Sequence, residues 1–148
     1  MTEPISRHDP RLSTWAAFLR AHARVVRELE RELQAEQRLA LTDYDVLVQL
    51  ARAEERRLRM SELADRLLLS RSGVTRLVDR LVAEGLVERA TCDTDRRGQW
   101  AALTDAGVDR LRAASPTHLR GVAEHFLDRM SPDELDAMER MLGRVVAD

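Results

Sequence analysis

The stretch RMSELADRLLLSRSGVTRLVDRLVAEG, residues 59–85, admits very few folds. Its apolar residues recur with the period of a helix, change phase once, and recur again. Leu63, Ala64 and Leu67 give a first short helix its buried face, Leu68 and Leu69 form a turn, and Ser70 is placed to cap a second helix. In that second helix Val74, Leu77, Val78 and Leu81 stand at i, i+3, i+4 and i+7, so they share one face. Arg71, Ser72, Thr75, Arg76 and Arg80 are thereby turned outward, making the exposed face basic and hydroxylated.

Past this helix the pattern changes from helical to extended. Gly85 suits the left-handed residue that ends a helix, and two short strands are expected after it, Leu86 to Ala90 and Gln99 to Leu103. Between them ATCDTDRRGQW, residues 90–100, reads as a loop whose tip carries Arg96 and Arg97. Asp93 and Asp95 suit hydrogen bonds within that turn, with Asp95 and Gly98 shaping it and an aspartate orienting an arginine. The prediction is a helix-turn-helix followed by a β-ribbon.

The flanking segments read as helix. Trp15, Leu19, His22, Val26, Leu29 and Leu33 form a seam with steps of four and three, longer than one small domain needs, which points to packing on a second copy of the chain. The next helix is expected to open at Thr42, with Asp45 in the capping-box position, and to end near AEERR. Thr104 can cap a helix carrying Val108, Leu111, Leu119, Val122 and Phe126, which Pro116 is expected to kink or break. SPDE from Ser131 combines a cap, a proline at the first helical position and a glutamate at the third. Leu135, Met138, Leu142 and Val145 then form one stripe.

Composition bounds the rest. With 148 residues, 44% of them hydrophobic, the chain is expected to be a single domain. A net charge of −2 gives no hint of a nucleic-acid partner, so charge placement has to decide. The basic residues are all arginine, whose planar fork suits two-pronged contacts with phosphate or guanine, although a GC-rich genome gives the same bias without functional meaning, and that reading carries the more weight. A lone cysteine, Cys92, excludes an internal disulfide and a cysteine-based zinc cage. No signal peptide or membrane-spanning apolar run is read, and a cytoplasmic protein without a membrane partner is expected. With 6 scattered glycines and 4 histidines that no sequence pattern joins to a nucleophile or an acid, nothing resembles a catalytic constellation or a phosphate-cradling loop, so no enzyme, cofactor or metal is expected.

A helix in the major groove can present arginine to guanine and Ser or Thr to bases or phosphates. Arg96 and Arg97 on a ribbon tip could reach an adjacent minor groove. Double-stranded DNA is therefore the expected partner, read by Ser70, Arg71, Ser72, Thr75, Arg76, Arg80, Arg96 and Arg97. The rival reading is a dimeric winged-helix module that binds another protein, since a near-balanced charge allows it.

ELADRLLLSRSGVTRLVDRLVAEGLVERATCDTDRRGQWAALTDAG, residues 62–107, resembles the winged helix-turn-helix core of the MarR family of bacterial transcriptional regulators, and the flanking helices match that layout over nearly the whole chain. The resemblance implies a mainly α fold with a small β-wing. One MarR-type domain would span residues 1–148, with an N-terminal dimerisation helix at 11–40, a DNA-binding lobe at 42–103 and C-terminal dimerisation helices at 104–148. It implies a homodimer, most often a repressor, on a pseudo-palindromic operator. Ser70 to Arg80 would be the recognition helix, residues 95–98 the wing tip, and LTDAG, residues 103–107, the join to the dimerisation helix. Where such proteins often have Ser or Thr ahead of Glu62, Arg59 stands here, which removes a cap.

In this family, repression is commonly relieved by a small molecule or oxidant. Trp15, His22, Tyr44 and Trp100 are candidate effector-binding residues, each also readable as core or interface. Cys92 lies near arginines that would lower its pKa, yet the family's peroxide sensors place the reactive cysteine in the first helix, so Cys92 is read as a bystander. His118 and His125 share a helical face at i, i+7 but lack a third ligand, and a surface role is expected for them.

Overall fold

Local chemistry sets most element boundaries in this computed structural model, which describes residues 4–92 and 95–147, and the side chains of all these except 92 and 95–98. Asp93, and the surroundings of Cys92, Asp95, Arg96, Arg97 and Gly98, on which the wing-tip expectation rests, lie outside the described residues. The order is α1 (Leu12–Gln37), α2 (Leu41–Arg52), β1 (Arg57–Arg59), α3 (Met60–Leu67), α4 (Arg71–Ala83), β2 (Val87–Cys92), β3 (Asp95–Leu103), α5 (Asp105–His125) and α6 (Pro132–Val146). Short 3-10 turns stand at Glu54–Arg56 and Leu127–Arg129. The fold is mainly α with a small β-wing, as expected, and its antiparallel sheet has three strands in the order β1-β3-β2. No helix among the described residues is long and apolar enough to cross a membrane.

At α6 the Ser131 hydroxyl accepts from the Glu134 N–H at 3.3 Å while the Glu134 carboxylate accepts from the Ser131 N–H at 2.8 Å, so the capping box read from SPDE is formed. Thr104 opens α5 by accepting from the Gly107 N–H at 3.0 Å. Ser70 caps α4, its Oγ accepting from the Gly73 N–H at 3.1 Å. That helix ends where Gly85 takes φ +76°, and the Leu86 N–H then reaches back to the Leu81 carbonyl at 3.0 Å.

Three expectations are corrected. The second helix begins ahead of Thr42: the Tyr44 N–H already bonds the Ala40 carbonyl at 3.0 Å, so Ala40 is the cap and Thr42 falls inside the first turn. Of the kink or break expected at Pro116, the break does not occur, since α5 runs through it from Asp105 to His125. Pro116 and Arg112 are both exposed, so water can reach the Arg112 carbonyl that loses its partner. The ribbon strands are longer than read, because pairing continues past Ala90 through Thr91 opposite Gln99 and, after an irregularity, Cys92 opposite Asp95. Nothing in the sequence pattern announces β1, which adds a third strand by pairing Leu58 with Ala101. Arg59 does cost a cap, and Glu62 compensates in part by accepting the Arg59 N–H at 3.3 Å.

The turn between α3 and α4 is made by Leu68 at φ 55°, ψ 39°, with a side chain 92% exposed. A left-handed leucine that buries nothing carries the steric cost of that conformation without recompense. Leu68→Gly is therefore expected to raise the unfolding free energy by about 1 kcal/mol, read as a higher urea midpoint with unchanged slope. A lower midpoint would mean that the side chain makes a stabilising contact.

The chain divides into two compact units, Glu32–His118 and Met1–Arg31 with Leu119–Asp148. In the first, Val46, Leu47 and Leu50 of α2, Leu63 of α3, Val74, Val78 and Leu81 of α4, and Leu58, Val87 and Ala101 of the sheet are buried together. In the second, large apolar side chains remain uncovered on every helix: Trp15, Phe18, Leu19 and Val26 on α1, Leu119 on α5, and Met141, Leu142, Val145 and Val146 on α6.

Candidate nucleic-acid interface

Burial of Val74, Leu77, Val78 and Leu81 fixes which side of α4 looks out. Arg71, Ser72, Thr75, Arg76 and Arg80 are all exposed on it. Among the described residues Arg71 and Arg76 enter no ion pair, so two guanidiniums stand on one helical face with their donors available. The Ser70 hydroxyl is engaged as the cap and lies 3.2 Å from the Ser72 hydroxyl.

Arg80 is placed differently from its neighbours. Its guanidinium donates to the carboxylate of Asp43 in the first turn of α2, and the Asp43 side chain is 7% exposed against 51% for Arg80. That hydrogen bond holds the Arg80 guanidinium above its usual range. The preceding residue, Asp79, points elsewhere and pairs with Arg89 of β2 at 2.8 Å. Arg89 also donates to the Gln99 side chain on β3 at 2.9 Å, which ties α4 to the ribbon. Sequence patterning singles out none of Asp43, Asp79 and Arg89. A signal existed for Arg89, which stands two residues after the inward Val87 on the same strand face and so needed a partner. Asp43 gave none, since an acid in a first helical turn ordinarily serves the helix dipole.

On the sheet face opposite Leu58 and Ala101, Trp100 lies under two cations, the Arg57 and Arg59 guanidiniums at 5.1 and 5.3 Å from its ring. Beyond it the ribbon runs out to residues 95–98, where the arginines of the tip are expected.

These elements, in this order, are shared with known proteins. A family model described as MarR family matches residues 39–98. Among solved structures, Sco3205 from Streptomyces coelicolor, a MarR family transcriptional regulator in complex with DNA, is 33% identical with a TM-score of 0.90, covering 98% of this chain and 91% of that one. The chain belongs to the MarR family. Among curated MarR-type relatives, MhqR of Bacillus subtilis is 30% identical over 58% of this chain and 59% of its own length. The transcriptional repressor YetL of the same organism is 31% identical over 68% and 59%. The matched stretch thus spans about three-fifths of either curated relative. These relatives are transcriptional regulators, not enzymes.

Among the effector candidates of this MarR-family chain, Trp15 and His22 lie on one stretch of α1, linked through Phe18 by ring contacts of 6.0 and 6.4 Å. Tyr44 is buried, its hydroxyl 3.3 Å from the Ser115 hydroxyl and its ring 4.3 Å from that of His118. Trp100 makes no ring contact with Tyr44 among the described residues, and two arginines lie over its ring.

The expected surface role of His118 is corrected: the ring is half-buried against Tyr44, and its Nδ1 has no hydrogen-bond partner among the described residues. Burial pushes its pKa below the usual 6.5. The unfolded chain therefore takes up a proton at His118 more readily than the folded one. Folding stability is full above pH 6.5 and declines as pH falls from there to the folded-state pKa. His118→Gln should flatten part of that decline as pH falls below 6.5, measured by urea midpoints. An equal decline in both proteins would assign it to other groups.

Proposed function

We propose that the chain is a sequence-specific regulator of transcription that binds double-stranded DNA as a homodimer, with α4 lying in the major groove and the ribbon tip reaching an adjacent minor groove. The observation that carries this is the outward face of α4, where Arg71, Ser72, Thr75 and Arg76 stand together and the two arginines are not neutralised by any described neighbour. The DNA in the Sco3205 complex supports the choice of partner. A second copy of the chain supplies a cover for the apolar side chains left open on α1, α5 and α6, and it gives the two reading helices that an inverted repeat requires. Repression is the mode we assign, following YetL, with release by a small-molecule effector. The ring of His118, half-buried against the buried Tyr44 and with a nitrogen that has no partner among the described residues, is where we place such a molecule, which would find an aromatic surface and one hydrogen bond there.

Selection from a random duplex library at about 150 mM salt tests the reading, because specific affinity there separates base readout from charge attraction. The expected product is an inverted repeat with half-sites about one helical turn apart. An unenriched library would favour a protein-binding module on the same scaffold.

A further inference from the structure

α4 is tied at one level to two different elements by consecutive residues. Residues adjacent on a helix project about 100° apart, so Asp79 and Arg80 leave in different directions. Asp79 meets Arg89 of β2 at 2.8 Å, and Arg80 meets Asp43 of α2. Two ties on different sides of one turn oppose rotation of the helix about its own axis, which a single tie does not. The α2 end of this brace is itself fixed, because Tyr44, next to Asp43, is buried with its hydroxyl on Ser115 and its ring on His118 of α5. Asp43 is buried and Arg80 is its cation, so withdrawing Arg80 to meet a base would leave a carboxylate unpaired in the interior.

We infer that Arg80 is a positioning residue: with Asp43 and the Asp79–Arg89 pair it sets the rotation of α4, and it does not read bases. This deepens the DNA-binding function proposed above and rests on it. Arg76 stands one turn before Arg80 on the same face. A rotation of about 15° displaces a side chain at the rim of a helix by about 1.5 Å, enough to break a two-pronged contact. The reading set of α4 is then Arg71, Ser72, Thr75 and Arg76, with Arg80 acting through them.

The experiment compares wild type with Arg80→Lys, Arg80→Met, Asp43→Asn and the Asp43→Asn/Arg80→Met double variant. It measures affinity for the selected duplex and its single-base variants at two salt concentrations, with urea unfolding of each protein. Arg80→Lys, which can still neutralise Asp43, is expected to keep the base preference at every position and bind within about threefold of wild type. Arg80→Met and Asp43→Asn should each weaken binding about tenfold, the double variant no further, because they break one interaction. The salt slope should not change, since no phosphate contact is lost. The inference is overturned if Arg80→Lys and Arg80→Met lose the preference at one base pair while Asp43→Asn keeps it. It is equally overturned if Arg80→Met lowers the salt slope by about one unit while Asp43→Asn binds as wild type does. Should Asp43→Asn not fold, the Arg80 variants decide together: a loss of preference at one base pair in Arg80→Met that Arg80→Lys does not restore overturns the inference, because lysine keeps the charge but lacks the planar fork of the guanidinium. If wild type selects no duplex, the DNA reading has failed, and amide exchange without DNA still tests the brace. Faster exchange along α4 in Arg80→Met supports the brace, and unchanged exchange overturns it.

Discussion

Gly107→Ala lowers the unfolding free energy by about 3 kcal/mol and moves the urea midpoint down without changing the slope. A Cβ on Gly107 would lie 2.2 Å from the Leu86 carbonyl oxygen and 2.5 Å from Leu103 Cδ1. The leucine methyl can turn away. The carbonyl cannot, because it accepts the Thr104 N–H at 3.1 Å, and the adjoining Gly85 carbonyl accepts the Thr104 hydroxyl at 2.7 Å. Thr104 in turn caps the helix through the Gly107 N–H. The exit of α4, the start of β2, the end of β3 and the first turn of α5 therefore meet at one point, and only a residue without a side chain lets them close. Gly143→Ala is the control: on α6 nothing lies within 4 Å of the added Cβ. There alanine should raise stability by about 0.5–1 kcal/mol through helix propensity alone. If the two substitutions moved the midpoint the same way, close approach would not be the reason for Gly107.

The parts of this fold that were legible in the sequence are those whose cause is local. Ser131 and Glu134 sit three residues apart and cap each other. Val74, Leu77, Val78 and Leu81 repeat with the helix and are buried. Gly85 stands where the backbone must turn left-handed. Where the cause is distant the sequence was silent. β1 is three residues with one inward side chain, Leu58, and exists because β3 is there to pair with it. Asp43 and Arg80 are 37 residues apart, and no spacing rule connects them. An arginine on the outward face of a capped helix looks like a reader from sequence alone, whether or not a buried acid holds it.

The second large effect separates a reader from a surface charge. Arg76→Ala should weaken binding to the selected duplex by about 1–3 kcal/mol, concentrated at one base pair of each half-site, where the variant no longer prefers the wild-type base. Its side chain is exposed and in no described ion pair, so the folded state loses nothing comparable, and unfolding should shift by less than about 0.5 kcal/mol. Arg76→Lys should recover affinity more than preference, because a lysine keeps the charge but lacks the planar fork. Arg97→Ala, at the ribbon tip, should instead lower affinity on all duplexes alike and reduce the salt slope by about one unit. Measured side by side, the two variants distinguish base contact from phosphate attraction in the same protein. Should both lose affinity evenly on every sequence, α4 would be a basic surface held near the DNA rather than a helix that reads it.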